Sequence, residues 1–133
     1  MLGSLIFCWV SSFLILIGFS IYCAVSIKRA PKRNEIMGFR TKSALKNDDN
    51  WQFAQKLAGV IYLVLSLSLV VLQIIFLAIW LISDATNYHL GLILGYTPLI
   101  VFIVVALILM VIVEKKTKQY EQEVNKEREQ ANE

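Results

Sequence analysis

Charge is missing from three long stretches of this chain. Residues 1–27, 57–83 and 85–113 contain no Asp, Glu, Lys or Arg. A helix needs about 20 apolar residues to cross roughly 30 Å of hydrocarbon, and each stretch is longer than that. The charged share of the whole chain is 17%, against about 25% in a soluble domain. A β-barrel is a poor fit, because its strands would be about ten residues of alternating polarity. No carboxylate lies inside any of the three runs, although proton-coupled transport usually places an ionisable group there. A small transporter is therefore the weakest of the functional readings.

Residues that carry chemistry are also scarce. Cys8 and Cys23 are the only cysteines. Fifteen residues of helix separate them by roughly 22 Å, too far for a disulfide within one chain, so both read as small apolar filler. His89 is the single histidine, and a metal site would need more ligands than surround it. It reads as an exposed interfacial residue. No HExxH, CxxC, GxGxxG or P-loop pattern occurs. No catalytic residue, metal site or cofactor is expected, and the chain does not read as an enzyme.

What remains is an all-α membrane protein of three transmembrane helices. Helix 1 is expected over 1–27, helix 2 over 57–83 and helix 3 over 91–113. A basic loop at 28–56, carrying a short interfacial helix, joins the first two. A short loop at 84–90 joins the second pair. A charged helical extension follows at 114–133, fraying toward its end. A secretory signal would put basic residues before its apolar run, whereas here Lys28 and Arg29 follow it. The first helix is read as uncleaved.

Lys and Arg set the expected orientation. Residues 28–56 hold eight, the tail from Glu114 holds five, and 83–90 hold none. Short loops rich in these residues stay in the cytoplasm, so the N-terminus is expected outside and the C-terminus inside. The 28–56 loop has a net charge of +5 and the tail −1. Such a loop suits the anionic inner leaflet. Because it is tied at both ends against that leaflet, direct nucleic-acid binding is not expected.

Within the spans, polar and small residues mark the faces that meet protein. Ser4, Cys8 and Ser12, then Ser20 and Ala24, recur every four residues on helix 1. Small residues allow close helix approach in lipid, either within the bundle or at a homo-oligomer seam. Gly59, Tyr62, Ser66 and Gln73 form a polar stripe on helix 2, which should face protein rather than lipid. Gln73 is the one strongly polar side chain deep in a span. It either bonds another helix or lines a ligand cavity. Gly91 and Gly95 make a GxxxG pair at the start of helix 3, and Pro98 is expected to kink that helix by removing a backbone donor. Asn47, Asp48 or Asp49 can cap helix 2.

The polar loop is the feature that bilayer filling does not explain. Gly38 permits a positive φ or a close backbone approach. Phe39 can dip into the interface. Arg40 offers a planar fork of donors for a carboxylate or a lipid phosphate. Asn34, Thr41, Ser43 and Asn50 add amides and hydroxyls, and Trp51 suits the interface. This cluster either binds an anionic group or, through Arg40, caps the end of helix 1 or anchors to headgroups.

These residues also carry a resemblance. Asn34, Ile36-Met37-Gly38-Phe39-Arg40-Thr41, Ser43, Asn50, Trp51, Phe53-Ala54 and Gly59 resemble the signature loop of the SdpI family of bacterial membrane proteins. Met37 departs from the family pattern by standing between Ile36 and Gly38. The resemblance covers about residues 30–80. It implies a multi-pass protein of the bacterial plasma membrane that confers immunity to a membrane-active toxic peptide. It also implies signalling, in which a cytosolic repressor is held at the membrane. The site residues implied are Asn34, Gly38, Phe39, Arg40, Thr41, Ser43, Asn50 and Trp51. A different class of function is a membrane scaffold or sensor subunit that recruits a cytosolic partner through the basic loop and charged tail.

Overall fold

A computed structural model describes residues 2–33, 38–83 and 87–131. Among them the regular structure is three α-helices: α1 (Leu2–Lys28), α2 (Asp48–Ser83) and α3 (Tyr88–Gln130). All three are long and apolar enough to cross a membrane. In hydrocarbon a backbone must satisfy its own hydrogen bonds, which accounts for unbroken helices through runs rich in β-branched Ile and Val. α2 passes without interruption from Asp48 into the uncharged run 57–83.

Two asparagines start the later helices in the same way. Asn47 Oδ1 accepts the Asn50 N–H at 2.7 Å, and Asn87 Oδ1 accepts the Leu90 N–H at 3.0 Å. Each satisfies one of the donors that a helix start leaves open. Asp48 and Asp49, in the first turn of α2, then add negative charge beside the positive dipole end.

The chain forms two compact units. Unit 1 comprises Met1–Tyr22 and Tyr62–Ala106; unit 2 comprises Cys23–Ile61 and Leu107–Glu133. In unit 1 the helices meet through small and aromatic residues. Ser20 Oγ donates to Ser66 Oγ at 2.7 Å, and Tyr62 donates to the Ala106 carbonyl at 3.0 Å. Trp9 stacks on Trp80 with ring centroids 6.3 Å apart. Phe19 meets Tyr62 and Phe102 edge-on. The small-residue row of α1 is turned inward at Cys8, Ser12 and Ser20, while Ser4 hydrogen-bonds Tyr88.

The GxxxG pair makes close contacts at both glycines. A Cβ on Gly95 would lie 2.7 Å from Cys8 Sγ and 3.3 Å from the Trp9 ring. A Cβ on Gly91 would lie 2.9 Å from Leu5 and 3.0 Å from Trp80. Lipid supplies no hydrophobic drive for helix association, so this proximity is what the dispersion contacts depend on.

Gly95→Ala is expected to lower stability by about 1–3 kcal/mol through overpacking, read as earlier thermal unfolding in detergent. Gly18, with nothing within 4 Å of its Cβ position, is the control. Gly18→Ala should leave the transition unchanged or slightly raised, and equal losses at both glycines would contradict the close-approach account.

Candidate functional site

The signature loop lies in unit 2 and is built around one side chain. Gln55 sits on the buried face of α2, one turn after Trp51. Its Oε1 accepts the Phe39 N–H and its Nε2 donates to the Phe39 carbonyl, both at 2.8 Å. One amide thus satisfies both polar groups of a residue that has left regular structure. The chain reaches this clamp through Gly38, whose φ is +106°. A Cβ there would sit 2.8 Å from Gln55 Oε1 and 3.0 Å from the Trp51 ring. Conformation and space both require glycine.

Trp51 forms the floor. It is 2% exposed, packs with Ala44, Ala54 and Phe39, and donates its indole N–H to the Pro31 carbonyl. That bond ties the chain leaving α1 to the start of α2. After Phe39 the backbone turns: the Leu45 N–H reaches the Thr41 carbonyl at 3.1 Å. Asn50, itself buried, donates from Nδ2 to the Ser43 carbonyl at 3.0 Å.

Ser43 carries the loop to α3. Its hydroxyl donates to Glu114 Oε1 at 2.8 Å and its N–H to the same oxygen at 3.3 Å. Glu114 is the first charged residue after the uncharged run 85–113. Desolvation pushes its carboxyl pKa up, but Thr41, Ser43, the Ser43 N–H and Lys118 together outweigh that and hold it below the usual value. Thr41 Oγ1 is buried outside hydrogen-bond geometry. Ser43 therefore makes the bond.

The last turns of α3 are held against the same unit. Phe53 and Tyr120 stack with ring centroids 4.3 Å apart and planes 2° from parallel. Lys46 pairs with Glu121 at 2.9 Å, and Arg128 with Asp49 at 3.0 Å. These contacts give the polar end of α3 something to pack on, and the helix continues through Gln130. On the other side of Trp51, an open cleft of about 440 Å³ is lined by Ala30, Pro31, Lys32, Arg33, Asp48, Trp51 and Gln52. Arg33 and Asp48 pair across it at 3.3 Å.

The expected site residues thus separate. Gly38, Phe39, Ser43, Asn50 and Trp51 come together and bind one another or α3. Thr41 adjoins them. Arg40 is exposed, and its guanidinium makes no hydrogen bond or ion pair among the described residues. Asn34 lies outside the described residues. Of the polar stripe, Gly59 belongs to unit 2, where its Cβ position lies 2.9 Å from Ile27 and 3.3 Å from the Cys23 carbonyl. Tyr62, Ser66 and Gln73 belong to unit 1.

Two residues at the centre of the arrangement, Gln55 and Glu114, are absent from the sequence-based site. Gln55 shares a helix face with Trp51, four positions earlier, and that spacing was the available signal. Glu114 offered none, because its partner is 71 positions away.

Glu114→Ala leaves the Ser43 N–H and hydroxyl without their acceptor and is expected to cost about 1–3 kcal/mol. The loss should appear as earlier thermal unfolding and faster protease cleavage within residues 38–47. A depressed carboxyl pKa also fixes a sign. The stabilisation is complete above the unfolded-state pKa of Glu114 and fades as pH falls through its lower folded-state pKa. Glu114→Gln should therefore show a shallower loss of stability on acidification than the unaltered chain, and an identical slope would contradict the assignment.

The loop and the helices around it coincide with a known family pattern. The model of the SdpI/YfhL protein family matches residues 31–114, from Pro31, which receives the Trp51 indole, to Glu114, which receives Ser43. No curated protein and no solved structure matches the chain. With the family match spanning most of its length, this three-helix membrane protein belongs to the SdpI/YfhL protein family.

Proposed function

We propose that this protein is an immunity-type member of its family, protecting the bacterial plasma membrane against a membrane-active toxic peptide. The loop and the end of α3 would face the cytoplasm, as their Lys and Arg excess favours. One observation supports a binding role for the loop: Phe39 and Ser43, on either side of Arg40, are tied to Gln55 and Glu114, yet Arg40 is exposed. A segment tethered on both sides of a bidentate donor is suited to a carboxylate or phosphate at the membrane surface. The toxin would engage the protein from within the bilayer, and the headgroup or peptide carboxylate would meet Arg40.

A second reading is favoured by the end of α3. Beyond Glu121 it presents exposed charged residues, including Glu123, Lys126, Glu127 and Glu129, which suit recruitment of a cytosolic partner such as a repressor.

Deleting the gene and challenging cells with membrane-active peptides of the same host should reduce survival. Restoring Arg40→Ala at equal membrane abundance should fail to rescue by at least an order of magnitude in inhibitory concentration, roughly the loss of one charge-assisted contact. Unchanged survival on deletion would reject immunity. Truncation after Glu121 keeps Phe53–Tyr120 and Lys46–Glu121. If partner capture by crosslinking survives that truncation, recruitment by the end of α3 fails.

A further inference from the structure

Unit 1 contains polar atoms that its packing does not satisfy. Gln73 is fully buried, and neither Oε1 nor Nε2 has a hydrogen-bond partner. Ser12 is fully buried with its hydroxyl unpartnered, and the indole N–H of Trp9 is buried and unpartnered. A polar group in hydrocarbon without a partner costs several kcal/mol. Three such side chains in one small unit demand an explanation.

Two of them lie at one level, with the third a turn away. The contacts Ser20–Ser66 and Trp9–Trp80 show that α1 and α2 run antiparallel. From Ser20 to Ser12 is about 12 Å along α1, and from Ser66 to Gln73 about 10 Å along α2. Ser12 and Gln73 therefore face the same layer, and Trp9 lies one turn from Ser12. The third helix contributes as well. Pro98 is fully buried within α3 and has no N–H to give the Leu94 carbonyl. The neighbouring Gly95 sits against Cys8 and Trp9, which puts that carbonyl at the level of Trp9, one turn from Ser12.

We infer that Gln73, Ser12, Trp9 and the Leu94 carbonyl form an internal hydration site that holds water within the apolar part of unit 1. The donor set fits this guest. Gln73 Nε2 and the Trp9 N–H donate, Gln73 Oε1 and the Leu94 carbonyl accept, and the Ser12 hydroxyl does either. Water both donates and accepts, and buried waters typically take about three hydrogen bonds. Each helix then supplies at least one ligand to the bound water, which links three helices where lipid provides no drive for their association. This inference is independent of the immunity reading.

The test is water-edited solid-state NMR on the full chain, 15N-labelled and reconstituted in lipid bilayers. Magnetisation that starts on water should reach the Gln73 side-chain NH2 several-fold faster than the backbone amides of Leu16 and Leu69, which are also buried. Ser12→Ala should slow that transfer several-fold while leaving exposed Gln52 unchanged. The first measurement needs no variant. Transfer to Gln73 as slow as to Leu16 in the unaltered chain overturns the proposal. So does fast transfer that Ser12→Ala leaves untouched, because the water would then not be held by this set.

Discussion

Hydrocarbon offers no hydrogen-bond partner, and that constraint governs the polar groups within the apolar runs of these helices. It makes α1, α2 and α3 continuous through their apolar runs, since a broken helix would expose backbone groups that nothing could satisfy. It also makes a few side-chain bonds decisive. Ser20 to Ser66 and Tyr62 to the Ala106 carbonyl set register where lipid-facing Ile, Val and Leu cannot, because those residues are as content against lipid as against protein. Gly91 and Gly95 then allow the close approach that gives dispersion forces enough contact to matter. Gln73 belongs to the same logic, since its two unpartnered atoms require a guest if the rule is to hold.

Unit 2 uses different means. Its loop leaves regular structure, so its backbone groups need side-chain partners. Gln55 serves both groups of Phe39, Asn50 serves the Ser43 carbonyl, and Glu114 receives the Ser43 N–H. These bonds are shielded and rest on the Trp51–Ala44–Ala54 cluster. The ion pairs Arg33–Asp48 and Arg128–Asp49 lie in the open, where such pairs contribute about 0–1 kcal/mol. The ordering of the loop therefore depends on buried amides and one carboxylate more than on its conspicuous positive charge.

The helices were legible because their signal is local. An uncharged run longer than a bilayer crossing can be recognised without knowing what it touches. The glycine at 38 was legible for the same reason, as a residue whose own backbone conformation matters. Asn47 as the cap was one of three candidates, because Asp48 and Asp49 have the same chemistry and only the path of the backbone chooses among them. The partners of the loop were not legible. Gln55 looks like any polar residue near the start of a helix, and nothing near Glu114 in sequence indicates Ser43. Both bonds join segments that are brought together only by the folded helices.

That difference bears on how the signature should be read. Gly38, Ser43, Asn50 and Trp51 look from the sequence like a single polar cluster with Arg40, and a cluster suggests a shared ligand. In the structure they have separate tasks. Gly38 fits the backbone between Gln55 and the Trp51 ring. Ser43 and Asn50 fasten the turn, and Trp51 joins the end of α1 to α2. Replacing Ser43, Asn50 or Trp51 removes a buried contact, and a side chain at Gly38 would clash with Gln55 and Trp51, so lost function at those positions would report a disordered loop and would say little about ligand chemistry. Arg40 differs because its guanidinium supports nothing in the described structure. Among the described residues the physical basis of the motif is thus mainly architectural, with Arg40 as an exposed group through which the architecture can act. A functional signal that is confined to Arg40 while the loop stays ordered is the evidence that separates binding from folding in this family's signature.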